Sequence, residues 1–141
     1  MEESIRRAFG LKAARLKELP VLSLAYVGDA VFELVMRTIV LEREGGKNGA
    51  LHKHALPYVS AVGQARLADI LQDSFTEEEA AVYRRGRNAK PEHGAKNAST
   101  QEYHKATGLE ALIGWLYLEG RTDRVIELIK EGMPDGGKNE D

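Results

Sequence analysis

Cysteine is absent from the 141 residues, which removes disulfides, thiolate nucleophiles and cysteine-based zinc or iron–sulfur sites. Carboxylate, imidazole and hydroxyl chemistry remain. Long apolar runs are missing as well: no stretch approaches the roughly 20 residues that cross a bilayer. The opening segment from Met1 to Gly10 carries too much charge of both signs for a secretory signal. A cytoplasmic protein with no membrane partner is expected. There is no excess of positive charge either, since 20 Lys and Arg against 22 Asp and Glu leave a formal charge of −2. Any electrostatic case for a nucleic-acid partner must therefore be local.

Sustained apolar/polar alternation is also missing, and nearly every stretch reads with helical period, so an all-α fold is expected. A hydrophobic content of 43% supports one sizeable core and one domain. That domain is expected over residues 1–132, with a flexible charged tail at 133–141. There is no internal repeat. A first helix is expected from Ser4 to Glu18, ending before Pro20. A second should run from Val21 to Glu44 and stop at Gly45 and Gly46, with Leu24, Val27, Val31, Leu34, Val35 and Thr38 as its buried stripe. A short helix from Gly49 to Tyr58 is interrupted by Pro57, and another spans Ser60 to Gln72. Thr76 with Glu79, and Ser99 with Glu102, have the spacing of capping boxes. They open a helix at Thr76 and a long one reaching Glu119, and a last helix covers Thr122 to Glu131. The segment from Gly86 to Gly94 has the composition of an exposed loop.

Two carboxylates stand where helices disfavour them. Asp29 follows Gly28 in the middle of the second helix, and glycine there costs about 1 kcal/mol relative to alanine. Glu110 lies between Leu109 and Ala111, in a helix that also carries Gly108 and Gly114. Each alone reads most simply as a surface acid beside a packing glycine. Together they suggest two closely packed helices projecting carboxylates into one site, as bundle interiors do when they hold divalent metals. Hard oxygen donors without cysteine favour Mg²⁺ or Mn²⁺ over zinc. Glu33 shares the face of Asp29 and is expected to pair with Arg37 four residues on.

The basic residues gather between Arg84 and Lys96, where Arg84, Arg85, Arg87, Lys90 and Lys96 face one acid, Glu92. Such a cluster suits the phosphate backbone of a duplex. Lys53 is a further candidate phosphate contact, whereas the His52–His54 pair converges poorly on a helix and is given no zinc role.

At its two acidic strings the sequence resembles the ribonuclease III endonuclease domain. The signature helix stands here as Leu24-Ala25-Tyr26-Val27-Gly28-Asp29-Ala30, and the second site helix as Thr107-Gly108-Leu109-Glu110-Ala111-Leu112-Ile113-Gly114. The resemblance covers roughly residues 19–120. Ala25 and Thr107 occupy the places of two family acids, a reduced set similar to that of the Mini-III subgroup, which lacks a separate double-stranded-RNA-binding domain. The resemblance implies a ribonuclease III-like helical bundle and a homodimer. It also implies Asp29 and Glu110 as catalytic metal ligands for Mg²⁺, with Mn²⁺ able to substitute. Cleavage of double-stranded RNA to 5′-phosphate and 3′-hydroxyl ends would follow, with large-subunit (23S) ribosomal RNA precursor as the expected substrate. The competing expectation is a catalytically inactive RNA-binding or ribosome-assembly protein on the same fold, which loss of Asp29 or Glu110 would mark. Both are present.

Overall fold

Pro20 and Gly45 bound the longest helix, α2, at Val21–Glu44: Pro20 sits at its N-cap, and Gly45 closes it in the left-handed conformation at φ 70°. The computed structural model describes residues 1–45, 50–89 and 100–133. Besides α2, the described residues form α1 (Glu2–Phe9), α3 (Ala50–Val59), α4 (Ala61–Leu71), α5 (Glu77–Arg87), α6 (Thr100–Leu118) and α7 (Thr122–Gly132), with short 3₁₀ turns at Leu16–Glu18 and Gln72–Ser74. No strand occurs among them, and the all-α expectation holds.

Helix α6 is the hub, packed by α2, α4 and α5. From Ala106 to Tyr117 every residue except Glu110 is buried. Burial all round explains why its sequence lacks a polar face. Helix α5 starts at the capping box read from the sequence. The Glu79 amide donates to Thr76 Oγ1 at 3.1 Å, and the Thr76 amide donates to Glu79 Oε1 at 2.9 Å. Glu79 has a second task, because Arg124 of α7 donates to both its oxygens at 2.8 Å and also to the Ser74 carbonyl at 2.9 Å. Burial alone would raise the Glu79 carboxyl. The hydrogen bonds from Arg124 and the Thr76 backbone, with the charges of Arg124 and Arg121, hold it below the usual carboxylate range instead.

Several expectations need correction. The helix expected from Ser4 to Glu18 is cut at Gly10, whose φ of 63° ends α1, while Arg6 docks on α6 by donating to the Leu118 carbonyl at 2.8 Å. The core face of α2 is rotated from the stripe expected. Phe32 and Met36 are 0% exposed, whereas Leu34 is 51% exposed and Thr38 also faces out. Pro57 lies within α3 without interrupting it, since in the last turn it forfeits a single i→i−4 hydrogen bond. Gly86 and Arg87 belong to α5, not to a loop, because Gly86 is buried at a helix crossing. The remainder of that expected loop, Lys90 onward, and the Ser99 cap lie outside the described residues, as do residues 134–141. Packing reaches Met133, which is buried.

Candidate active site

The site is made by a helix crossing without side chains. A Cβ on Gly28 would overlap the Glu110 carbonyl oxygen and stand 2.8 Å from the Gly114 nitrogen. A Cβ on Gly114 would overlap the Leu24 carbonyl oxygen and stand 2.9 Å from the Gly28 nitrogen. Only glycine at both positions lets α2 and α6 meet backbone to backbone. Asp29 follows the first glycine, and Glu110 precedes the second by one helical turn. The close approach therefore brings the two carboxyl groups near enough for the charge of Asp29 to act on Glu110.

Electrostatics mark the pair as incomplete. Glu110 is pushed up to about 8, first by burial and then by the neighbouring Asp29 carboxyl, while the Gln64 amide acts in the opposite sense. Two facing carboxylates with one raised this far lack a counter-charge, and among the described residues no basic side chain supplies one. A divalent cation with hard oxygen ligands fits that deficit. The fit is to a lean site, because no group of three or more His, Asp or Glu that could hold a metal occurs among the described residues. Water and phosphate oxygens must fill the remaining positions, which is ordinary for Mg²⁺.

The positions where the resemblance leads one to look for further acids are occupied otherwise. Ala25 is buried in the core, and the Thr107 hydroxyl donates to the Tyr103 carbonyl of its own helix at 3.0 Å. Glu33 pairs with Arg37 at 2.6 Å, as its spacing predicts, and is not drawn to the acids. His54 meets Glu44 at 3.1 Å. Gln64 of α4 was not anticipated: it is buried, and its amide acts to lower the Glu110 carboxyl. A single glutamine in a helix carries no sequence signal, and only the packing of α4 on α6 reveals it.

The basic residues end α5. Arg84 and Arg85 are exposed, while Arg87 is half-buried with its guanidinium 5.7 Å from the centroid of the Tyr83 ring. Lys53 is exposed on α3, beside Arg43 and Glu44 at the far end of α2. Lys90 and Lys96 fall outside the described residues.

The Ribonuclease III domain profile matches residues 22–121, an interval that contains both acidic helices and everything packed between them. The chain belongs to the ribonuclease III family. Within that family it is similar to "Mini-ribonuclease 3" of Symbiobacterium thermophilum, 44% identical over 120 residues that span 85% of this chain and 92% of that one. It is also similar to the protein of the same name from Enterococcus faecalis, 45% identical over 115 residues, 80% of this chain and 87% of that one. The fold matches the crystal structure of a Fusobacterium nucleatum protein with a TM-score of 0.72 at 30% identity, over 79% of this chain and 89% of that one. Membership in the family makes the chain an endoribonuclease. Among the described residues no helix is long and apolar enough to cross a membrane.

Proposed function

We propose that this endoribonuclease cuts double-stranded RNA in a Mg²⁺-dependent reaction, with Mn²⁺ able to substitute, and leaves 5′-phosphate and 3′-hydroxyl ends. The observation that carries the reading is the Asp29–Glu110 pair, two carboxyl groups brought together by a glycine crossing and left without a counter-charge. Asp29 and Glu110 would hold a divalent cation, which would supply neutralisation of the phosphoryl transition state and a more acidic water. The part played by the chain is then positional. Asp29 and Glu110 offer one carboxylate each, and the rigid crossing beneath them fixes their separation. Arg84, Arg85 and Arg87, with Lys53, Lys90 and Lys96, are assigned to the phosphate backbone of the duplex, whose A-form shape is met without sequence reading.

A homodimer completes this reading. Helix α2 keeps a second apolar face after the core is satisfied: Tyr26 is 82% exposed, and Leu22, Leu34 and Leu41 are exposed as well. An open groove of about 420 Å³ runs along it, its lining including Tyr26, Val27, Asp29, Ala30, Leu34 and Tyr117. A patch of this kind is normally covered. A twofold copy would place two sites on the two strands of one duplex. The biological substrate we assign is the large-subunit (23S) ribosomal RNA precursor, acted on in the cytoplasm, in keeping with the kinship to Mini-ribonuclease 3 proteins. Incubation with a perfect RNA duplex, with and without Mg²⁺, tests the core of the proposal. Duplex cleavage that needs the cation and yields 5′-phosphates is expected, and cleavage that persists in a chelator contradicts it.

A further inference from the structure

We propose that Gly86 and Gly108 are positioning residues that set the register of cutting, because their contact holds the arginines at the end of α5 at a fixed offset from Glu110. Phosphates gripped by α5 then present one particular bond to the acids. The inference rests on the readings of Arg84, Arg85 and Arg87 as the grip and of Asp29 and Glu110 as the cutting pair.

Helix α6 is held by two glycine crossings, and Glu110 lies between them. The crossing with α2 uses Gly114, four residues after Glu110, and the crossing with α5 uses Gly108, two residues before it. A Cβ on Gly86 would stand 2.8 Å from the Ala111 Cβ, 2.9 Å from the Gly108 Cα and 3.1 Å from the Thr107 carbonyl oxygen. A Cβ on Gly108 would stand 2.8 Å from the Tyr83 carbonyl oxygen and 2.9 Å from the Cδ1 and Cε1 atoms of its ring. Neither position has room for a methyl group.

Contacts run without a gap from the grip to the acid. Gly86 is buried in the chain between exposed Arg84 and Arg85 and half-buried Arg87, whose guanidinium lies 5.7 Å from the centroid of the Tyr83 ring. That ring is buried, packs against Phe75 with centroids 5.4 Å apart, and closes over Gly108. Arg87, Tyr83 and Gly108 are thus linked in turn, and Glu110 follows Gly108 by two residues on the same helix. From Ala106 to Tyr117 every other residue of that helix is buried. Interiors packed this closely transmit a displacement instead of absorbing it.

The link matters because phosphate contacts position a duplex without reading its sequence. The bond that reaches the acids is then decided by the spacing between grip and acids. A misplacement of about 1 Å can cost about 100-fold in rate. A methyl on Gly86 would force a shift approaching this size, from 2.8 Å to the roughly 3.5–4.0 Å of ordinary carbon contact. Arg84 and Arg85 point to solvent and would keep their hold on phosphate while the offset changed.

The test compares wild type with Gly86→Ala, and with Gly86→Ala paired with Ala111→Gly, which moves the methyl across the contact at nearly constant volume. The substrate is an RNA duplex too short for more than one cut in each strand, with a single neutral methylphosphonate placed at each linkage in turn. For each protein, duplex binding in Ca²⁺, the single-turnover rate at saturating duplex and a thermal melt are measured, together with the linkages away from the cut whose neutralisation suppresses cleavage. In wild type those linkages should lie at a fixed offset from the cut. Gly86→Ala should keep its affinity and salt slope, while its single-turnover rate falls by roughly 100-fold and the sensitive linkages shift or spread. The paired variant should recover part of both, and it carries the comparison if Gly86→Ala does not fold. Wild-type rate and wild-type sensitive linkages in Gly86→Ala, or in the paired variant where it alone folds, overturn the register role. A loss of affinity with the saturating rate unchanged overturns it too. Neutralising Arg84, Arg85 and Arg87 together serves as reference: if that triple variant binds duplex as wild type does, the reading of α5 as the grip fails, a different result from a normal grip that ignores Gly86.

Discussion

Gly28 and Glu110 touch backbone to backbone, with no room at Gly28 for a Cβ beneath the Glu110 carbonyl. This contact joins two otherwise separate facts, the tight packing of α2 on α6 and the meeting of the two acids.

Gly28→Ala therefore tests whether the crossing builds the site. In an open helix the change would stabilise by up to about 1 kcal/mol. Here the helices must part, and overpacking typically costs about 1–3 kcal/mol. Denaturant unfolding should report a loss of that order, and cleavage should fall further than stability accounts for, because the carboxylates separate. An alanine variant that is more stable and fully active contradicts the packing described.

Much of that crossing is legible in the sequence, and the reasons are local. Pro20 and Gly45 punctuate α2, Thr76 and Glu79 announce α5, and a Gly-Asp pair inside a helix is conspicuous because it is unfavourable there. The face of α2 is not legible in the same way. Leu24, Val31, Phe32, Leu34, Met36 and Leu41 surround the helix on nearly all sides, so periodicity cannot say which stripe meets the core. Phe32 and Met36 look like surplus apolar residues in the sequence, yet they fill the core and leave Tyr26 and Leu34 outside. Gly10 reads as a tolerable interruption until its left-handed φ ends α1. Gln64 gains its meaning only from a neighbour 46 positions away in the chain, Glu110.

The raised carboxyl of Glu110 predicts a pH dependence of stability when no divalent cation is present. A carboxyl with a higher value folded than unfolded binds its proton more tightly in the native state. Its contribution is fully present below about 4.5 and is lost as pH rises through about 8. Across that window stability in a chelator should decline, by at most about 1.4 kcal/mol per pH unit from this group. Glu110→Gln should flatten the decline, and Mg²⁺ should counter it by neutralising the ionised pair. Melting temperatures measured from pH 5 to 9, with chelator or Mg²⁺, check all three; an identical slope in Glu110→Gln assigns the dependence to another group.

At the end of α5, neutralising Arg84, Arg85 and Arg87 together should weaken binding to all duplex sequences alike. Each lost phosphate contact should lower the salt slope of log K by roughly 0.9, on the B-DNA scale taken as a guide. Arg87 also lies over the Tyr83 ring, so its replacement alone should carry a small stability cost as well. Binding is measured across a salt series in Ca²⁺. Unchanged affinity and slope in the triple variant identify this helix end as a solvated face.

The exposed side of α2 should hold two chains together. Sedimentation at micromolar concentration is expected to give a dimer, and Tyr26→Glu with Leu34→Glu should give a monomer by burying charge in the contact. Wild-type protein that sediments as a monomer while cutting both strands of a duplex contradicts the dimer.

The central claim is that Asp29 and Glu110 act as one cation-holding pair, and the most direct measurement is cleavage of a perfect RNA duplex by Asp29→Asn and Glu110→Gln at saturating Mg²⁺. Both substitutions keep the shape of the side chain, so folding and duplex binding in Ca²⁺ should stay close to wild type. Cleavage should drop by several orders of magnitude in each single variant and little further in the double variant, as expected of groups that act as a unit. Full activity in either single variant, with folding intact, would contradict the claim.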